Sequence, residues 1–326
     1  MFILGIDLSK AYFDVVLLNQ QGEKQYGRFD NNASGFAKLL KWLKEQGVSQ
    51  LRVCMEATNI YWEELTEYLY EKGYKVSVVN PARIKGHAMS QLRRSKTDKL
   101  DSDVIADFCR AHEDLRVWIP TSQEQRLLRN LVRQREDLLG MVTQQKNRLT
   151  DSRDLAVKAR WQRLIKTFQD EIEAIEKQIE EHIALHPTLQ KTFELLCSIK
   201  GFGLVTAAIL MAEMPDLADY KDAAAAAADA GVTPSHHESG DTVRHKSKMS
   251  KIGKASIRGA LFFPALTAIR YNKPIHAFAE RLEKQGKLKM VIIVAVMRKL
   301  IHQAYGVLKN QTPFDPNYGI IEIPAT

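Results

Sequence analysis

Cysteine is scarce. Cys54, Cys109 and Cys197 are the only three in 326 residues, and none belongs to a Cys-x-x-Cys pair. Widely spaced thiols in odd number argue against a disulfide framework and a zinc knuckle and suit a reducing compartment. Long apolar runs are missing as well. The stretch Val291 to Met297 is far short of the ~20 residues that span a bilayer. The run Phe2 to Ile6 is cut by Asp7 and has no basic segment before it, so it does not read as a secretory signal. A cytoplasmic chain without a membrane segment is expected. Acid is absent from one long region: between Thr242 and Ala279 there is no Asp or Glu, while Arg244, Lys246, Lys248, Lys251, Lys254, Arg258, Arg270 and Lys273 all fall there. Such a stretch suits a polyanion, and the net charge of +8 with a pI near 9.2 agrees in sign.

What is present is ordinary folding material. With 45% hydrophobic and 26% charged residues the chain is neither wholly disordered nor an integral membrane protein, and its length suggests about two domains. Phe2 to Asp7, Tyr12 to Leu18 and a polar run to about Phe29 read as three strands of an antiparallel meander. An amphipathic helix over 36–46, a buried strand over 51–55, a helix over 61–72, a strand over 75–79 and a helix over 97–112 follow. A meander followed by alternating helices and strands matches the ribonuclease H architecture.

From about Ser122 the pattern becomes helical. Leu127, Leu131, Leu138, Val142 and Leu149 recur at helical spacing, and Leu164, Phe168, Ile172, Ile175, Ile179 and Ile183 do so again. Two long helices forming an antiparallel coiled-coil hairpin are implied, ended by Pro187. Beyond it, Leu195 to Ala208 reads as helix, Gly-x-Gly turn and helix. Either a phosphate-binding helix-hairpin-helix or a tight turn between core helices fits Gly201 and Gly203. The alanine run 223–228 reads as packed helix. The expected division is therefore 1–120, an α/β metal domain; 121–187, the hairpin; and 188–326, a mostly helical C-terminal domain.

Four acids carry the chemistry. Asp7 ends the first strand and Glu56 follows the strand that would lie beside it, while Asp98 and Asp101 share one helical face and Asp103 and Asp107 point roughly opposite. Converging carboxylates without His or Cys suit hard octahedral ions such as Mg²⁺, and a pair of such ions would clamp a phosphodiester. Arg83, Lys85, Arg93, Arg94 and Lys96 precede the paired aspartates with no acid among them and would hold a nucleic-acid backbone nearby.

Gly5-Ile-Asp7, Met55-Glu56-Ala-Thr58, Val79-Asn-Pro81, Lys96-Thr-Asp98 with Leu100-Asp101, Ile199-Lys-Gly-Phe-Gly203, Gly231-Val-Thr-Pro234, Glu238-Ser-Gly240, and Ser250-Lys-Ile-Gly253 with Arg258 follow one another along the chain. In these motifs and their order the chain resembles the transposases of the insertion-sequence one-ten family, the DEDD transposases or bridge-RNA-guided recombinases. The alanine run, followed by Asp229, replaces the family's usual aromatics, and Asp241 stands two residues after Ser239. The resemblance implies a resolvase-like metal domain, a coiled coil and a C-terminal transposase domain. It also implies that Asp7, Glu56, Asp98 and Asp101 form the metal site and that Ser239 is a nucleophile that links covalently to a DNA phosphate. The implied partners are donor and target DNA, a non-coding guide RNA, and further copies of the chain joined through the coiled coil. A metal-dependent nuclease or junction resolvase would use the same acids to activate water and would not need Ser239. A sugar kinase would share the Gly-Ile-Asp-x-Ser opening but needs later glycine-rich nucleotide loops, which the 17 glycines do not supply. A binding protein without catalysis gives no reason for four converging acids.

Overall fold

The computed structural model describes residues 1–57, 60–91, 98–235, 238–239, 243–244, 248–250 and 252–317; at 98–99, 235, 238–239, 243–244 and 248 only the backbone is described. The chain forms two compact units, Met1–Pro120 and Thr121–Thr326.

The first unit is built on β1 (Phe2–Leu8), β2 (Tyr12–Leu18), β3 (Lys24–Asp30), α1 (Ala33–Glu45), β4 (Leu51–Glu56), α2 (Glu63–Glu71), β5 (Lys75–Val79), α3 (Pro81–Ser90) and α4 (Asp98–Ala111). The sheet order is β3-β2-β1-β4-β5. The first three strands pair antiparallel because short turns join them, and β1, β4 and β5 run parallel because helices cross between them. Alternation along each strand divides the core in two. Leu4, Ile6, Phe13, Val15, Val53 and Met55 face α1 and α2. Ile3, Val16, Leu18, Cys54 and Val79 face α3 and α4. This is a mixed sheet covered on both faces. Helix α3 falls where the sequence reads only as a cationic connector; Asn80 caps it by accepting from Ala82 N at 2.8 Å, and Pro81 opens it.

The second unit is almost wholly helical. It contains α5 (Gln123–Asp151), α6 (Leu155–Leu185), α7 (Pro187–Cys197), α8 (Leu204–Glu213), α9 (Ala223–Asp229), the two-residue strands β6 (Pro234–Ser235), β7 (Glu238–Ser239), β8 (Val243–Arg244) and β9 (Lys248–Met249), then α10 (Ala255–Tyr271), α11 (Lys273–Lys284) and α12 (Lys289–Asn310). Ser122 and Asp154 cap α5 and α6. Those two helices pack antiparallel: Arg135 meets Glu176 at 2.7 Å, and His182, late in α6, bonds the Glu124 carbonyl early in α5 at 2.8 Å. The buried stripe of α5 differs from the expected one. Leu128 and Val132 are enclosed, whereas Leu127 is 48% exposed. The repeat read from Leu127 is one residue out of phase at its start, where α5 turns toward the core around α7 and α8 rather than toward α6 alone.

The alanine run is packed helix, as its composition suggests: Ala226 and Ala227 are fully enclosed. Gly201 has φ +114°, and a Cβ there would lie 2.8 Å from the Pro264 carbonyl oxygen, so this glycine permits close contact with α10. Helix α12 has the length and apolar character of a membrane span, although Arg298 and Lys299 break its apolar run. Its Ile292, Val296, Leu300, Ile301 and Ala304 lie inside the core of the unit.

Candidate active site

The acidic site begins with strand register. Ile6 stands opposite Met55, so the next residues, Asp7, one before the end of β1, and Glu56, the last of β4, lie side by side on neighbouring parallel strands, whose backbones lie about 4.8 Å apart. Asp7 shares its face with Ile3, and Glu56 with Cys54, which places both carboxylates on the α4 side.

Gly5 sets how α4 reaches that side. A Cβ at Gly5 would overlap the backbone of Ser102 and Ala106, so the helix lies directly on β1. The direction of α4 is fixed at its far end, where Arg52 Nη2 donates to the His112 carbonyl at 2.7 Å. Residue 52 is the second of β4 and Glu56 the last, so α4 runs antiparallel to β4 and its first turn, with positions 98 and 101, lies toward Asp7 and Glu56. Asp101 is half-buried. The side chain of Asp98 lies outside the described residues. Asp103 and Asp107 turn the other way: Lys24 of β3 approaches them at 2.5 and 3.3 Å. The 100° step per residue explains the split.

The sequence reading missed a fifth acid. Asp14 of β2 stands directly opposite Asp7 and is 1% exposed. Its signal was an Asp in an otherwise apolar strand at a position sharing the face of Val16 and Leu18. Asp14 accepts from Arg28 Nε and Nη2, both at 2.9 Å, and from the Tyr26 hydroxyl. Burial, then the bond to Asp14, raises the Tyr26 pKa, so Tyr26 stays a donor. Arg28 in turn lies 4.3 Å from the ring centroid of Tyr12. A carboxylate held this firmly beside Asp7 fixes the local charge of the sheet edge.

An all-oxygen donor set on adjacent strand ends has the chemistry a hard divalent cation requires. Among the described residues no three metal-ligating side chains close into one cluster.

The expected cations divide into several groups. Arg83 and Lys85 are exposed on α3, with the Arg83 guanidinium 5.2 Å from the Phe108 ring centroid. Arg93, Arg94, Lys96, Lys246 and Lys251 lie outside the described residues, as do the side chains of Arg244 and Lys248. Lys254 and Arg258 have internal partners. Lys254 Nζ donates to the Glu213 carbonyl and lies 3.4 Å from Asp229 Oδ2. Arg258 Nη1 donates to the Gly253 carbonyl at 3.3 Å and fills the space a Cβ on Gly231 would need. Gly253, at φ +123°, approaches Gly231 so closely that a Cβ would lie 2.6 Å from the Gly231 nitrogen. These residues close the base of the β6–β9 segment. Ser239 ends β7, paired with Val243 across the short β7–β8 hairpin; its side chain and residues 240–242 lie outside the described residues.

Comparison with known proteins places the chain in a family. A transposase model of the DEDD IS110 type matches residues 4–155, and a model for the transposase IS116/IS110/IS902 family matches residues 193–280. A pilin gene-inverting protein of Moraxella bovis is 33% identical over 315 residues, covering 96% of this chain and 97% of the relative. The chain belongs to the IS110 family of DEDD transposases. The Moraxella lacunata pilin gene-inverting protein matches this IS110-family transposase equally well, at 33% identity over 96% of the chain. An insertion element IS110 protein of 43.6 kDa from Streptomyces coelicolor is 25% identical over 142 residues, 44% of this chain and 34% of that relative. This IS110-family transposase is accordingly a DNA-recombination enzyme.

Proposed function

We propose that this transposase cuts and rejoins DNA through a covalent phosphoserine on Ser239, supported by a Mg²⁺ site on Asp7, Glu56, Asp98 and Asp101 in a ribonuclease H-like domain. The observation that carries the metal reading is the placement of Asp7 and Glu56 side by side at parallel strand ends, with the first turn of α4 directed toward them. Mg²⁺ held there would neutralise charge that develops on a phosphate. In the proposed step the Ser239 hydroxyl loses its proton to a base and its oxygen attacks the DNA phosphorus. The bond to the 3′ oxygen breaks and that oxygen leaves as a free hydroxyl. Attack of a 3′-hydroxyl from another strand reverses the exchange, so the phosphodiester is conserved and no nucleoside triphosphate is consumed.

The same reading makes the α5–α6 hairpin a coiled coil that joins subunits, and residues 188–326 the transposase domain. Exposed Arg83 and Lys85, with Arg93, Arg94, Lys96, Arg244, Lys246, Lys248 and Lys251, would supply phosphate contacts. A guide RNA that selects donor and target by base pairing would relieve the protein of reading base edges. The site of action would be the cytoplasm. A denaturing gel tests the chemistry: the protein should form a Mg²⁺-dependent adduct with DNA that vanishes in Ser239→Ala. Full cleavage by Ser239→Ala, with no adduct in the parent, would replace this mechanism with water attack at the same carboxylates.

A further inference from the structure

A second site lies in the second unit. A cavity of about 1020 Å³ opens between α11, α12 and the segment 312–315, at the upper end of the ~300–1,000 Å³ that ligand pockets span. Ile275, Phe278, Val307 and Phe314 give it an apolar wall, and Arg281, Lys299 and His302 also line it. Phe278 is only half-buried, and Arg281 Cζ and Lys299 Nζ each lie 5.4 Å from its ring centroid. Both cations are exposed, and neither forms an ion pair among the described residues. Asp315 is the one acid among the lining residues.

His302 sharpens the chemistry. Its Nε2 is enclosed and makes no hydrogen bond among the described residues, so the ring meets the cavity with its other atoms. Burial first, then Arg298 and Lys299, lower its pKa below the ordinary histidine value. The imidazole is therefore uncharged near pH 7 and adds no third positive charge to the wall. An aromatic and aliphatic wall, two exposed cations and an uncharged imidazole together suit a flat heterocycle carrying a nearby negative charge. A double helix is too wide to enter a cavity of this size, whereas one residue turned out of its stack fits.

We propose that this cavity takes a single unstacked nucleotide of a DNA strand, with the base on the apolar wall beside His302 and the phosphate drawn by Arg281 and Lys299. The choice of DNA rests on the DNA-recombination assignment; the cavity itself is a binding site and needs no chemistry at Ser239 or at the carboxylates. Strand exchange exposes unpaired DNA, and such a pocket would hold it open until it is joined.

The test uses the full-length protein in metal-free buffer, so that no cleavage occurs. A fluorescently labelled single-stranded oligodeoxynucleotide and the blunt duplex of the same sequence are titrated by anisotropy. Phe278→Leu and the double variant Arg281→Gln/Lys299→Gln should each weaken single-strand binding about tenfold, within the range that one base contact contributes. Duplex affinity should be unchanged, and Phe278→Trp should restore single-strand binding. The double variant alters only exposed side chains, so it remains informative if Phe278→Leu loses its fold. Unchanged single-strand affinity in the double variant, or an equal loss on duplex, would overturn the proposal. So would an RNA of the same sequence that binds more tightly than the DNA and suffers the same losses. Failure of the recombination reading would appear separately, as absence of strand exchange by the unaltered protein with Mg²⁺.

Discussion

At the scale of residues, Gly5 has the most consequence for the least mass. Its missing Cβ lets the backbone of Ser102 and Ala106 rest on β1, and this contact brings positions 98 and 101 toward Asp7 and Glu56. Gly5→Ala should destabilise the first unit by about 1 to 3 kcal/mol, the usual range for an overpacked core. It should also abolish strand exchange, because the helix must shift as a body. A urea melt beside an exchange assay checks both, and wild-type behaviour in the two would show that α4 does not rest on β1 as described. The five acids were unequally legible. Asp7 and Glu56 stand at the ends of recognisable strands, and Asp101 follows from helical spacing. Asp14 escaped because its partners are Arg28 and Tyr26 of a neighbouring strand, and cross-strand pairing leaves no local spacing to read. Lys254 and Arg258 were misleading in the opposite sense: as sequence they join a basic run, while in the fold both close the loop base around Gly231 and Gly253.

Among elements, the helical hairpin shows what periodicity can and cannot assign. Apolar residues at helical spacing foretell both helices, but adjacent leucines compete for the inward position. Leu128 is fully enclosed and Leu127 is 48% exposed. Leu128→Ala should cost about 2 to 5 kcal/mol, and Leu127→Ala within about 0.5 kcal/mol of nothing. Chemical denaturation of the two variants distinguishes them; equal losses would place the buried stripe back on Leu127. Helix α3 was hidden because its interior is polar and cationic, with Ile84 its one buried side chain. Its signals were local, an Asn-Pro start with the asparagine capping the first turn. For α12 the opposite holds: strong apolar character specifies a helix, but neither length nor composition distinguishes a core helix from a membrane span. Packing against α9, α10 and α11 places its apolar side chains.

For the whole molecule, the excess of eight positive charges is a statement about partners. Affinity for duplex DNA should fall log-linearly with salt, with a slope of about 0.9 for every phosphate contacted. Replacing Lys246, Lys248 and Lys251 together with Gln should lower that slope by about 3. Lys254→Gln should leave it unchanged and instead lower the melting temperature, because Lys254 is bonded to Glu213 and Asp229. Binding titrations across a salt series with parallel thermal melts separate the two effects. A slope that falls on Lys254→Gln would mean that this lysine reaches DNA.

Apart from α3, the order of strands and helices, the acids at the strand ends, the long hairpin and the family motifs were determined by sequence alone, since each depends on near neighbours along the chain and on periods of two or 3.6 residues. The burial of Asp14, the internal roles of Lys254 and Arg258 and the cavity beside Phe278 were decided only by tertiary structure. Each depends on which distant residues meet. A contact between residues far apart in the chain leaves no periodic trace, and a cavity is bounded by surfaces that come together only once the helices around it have packed.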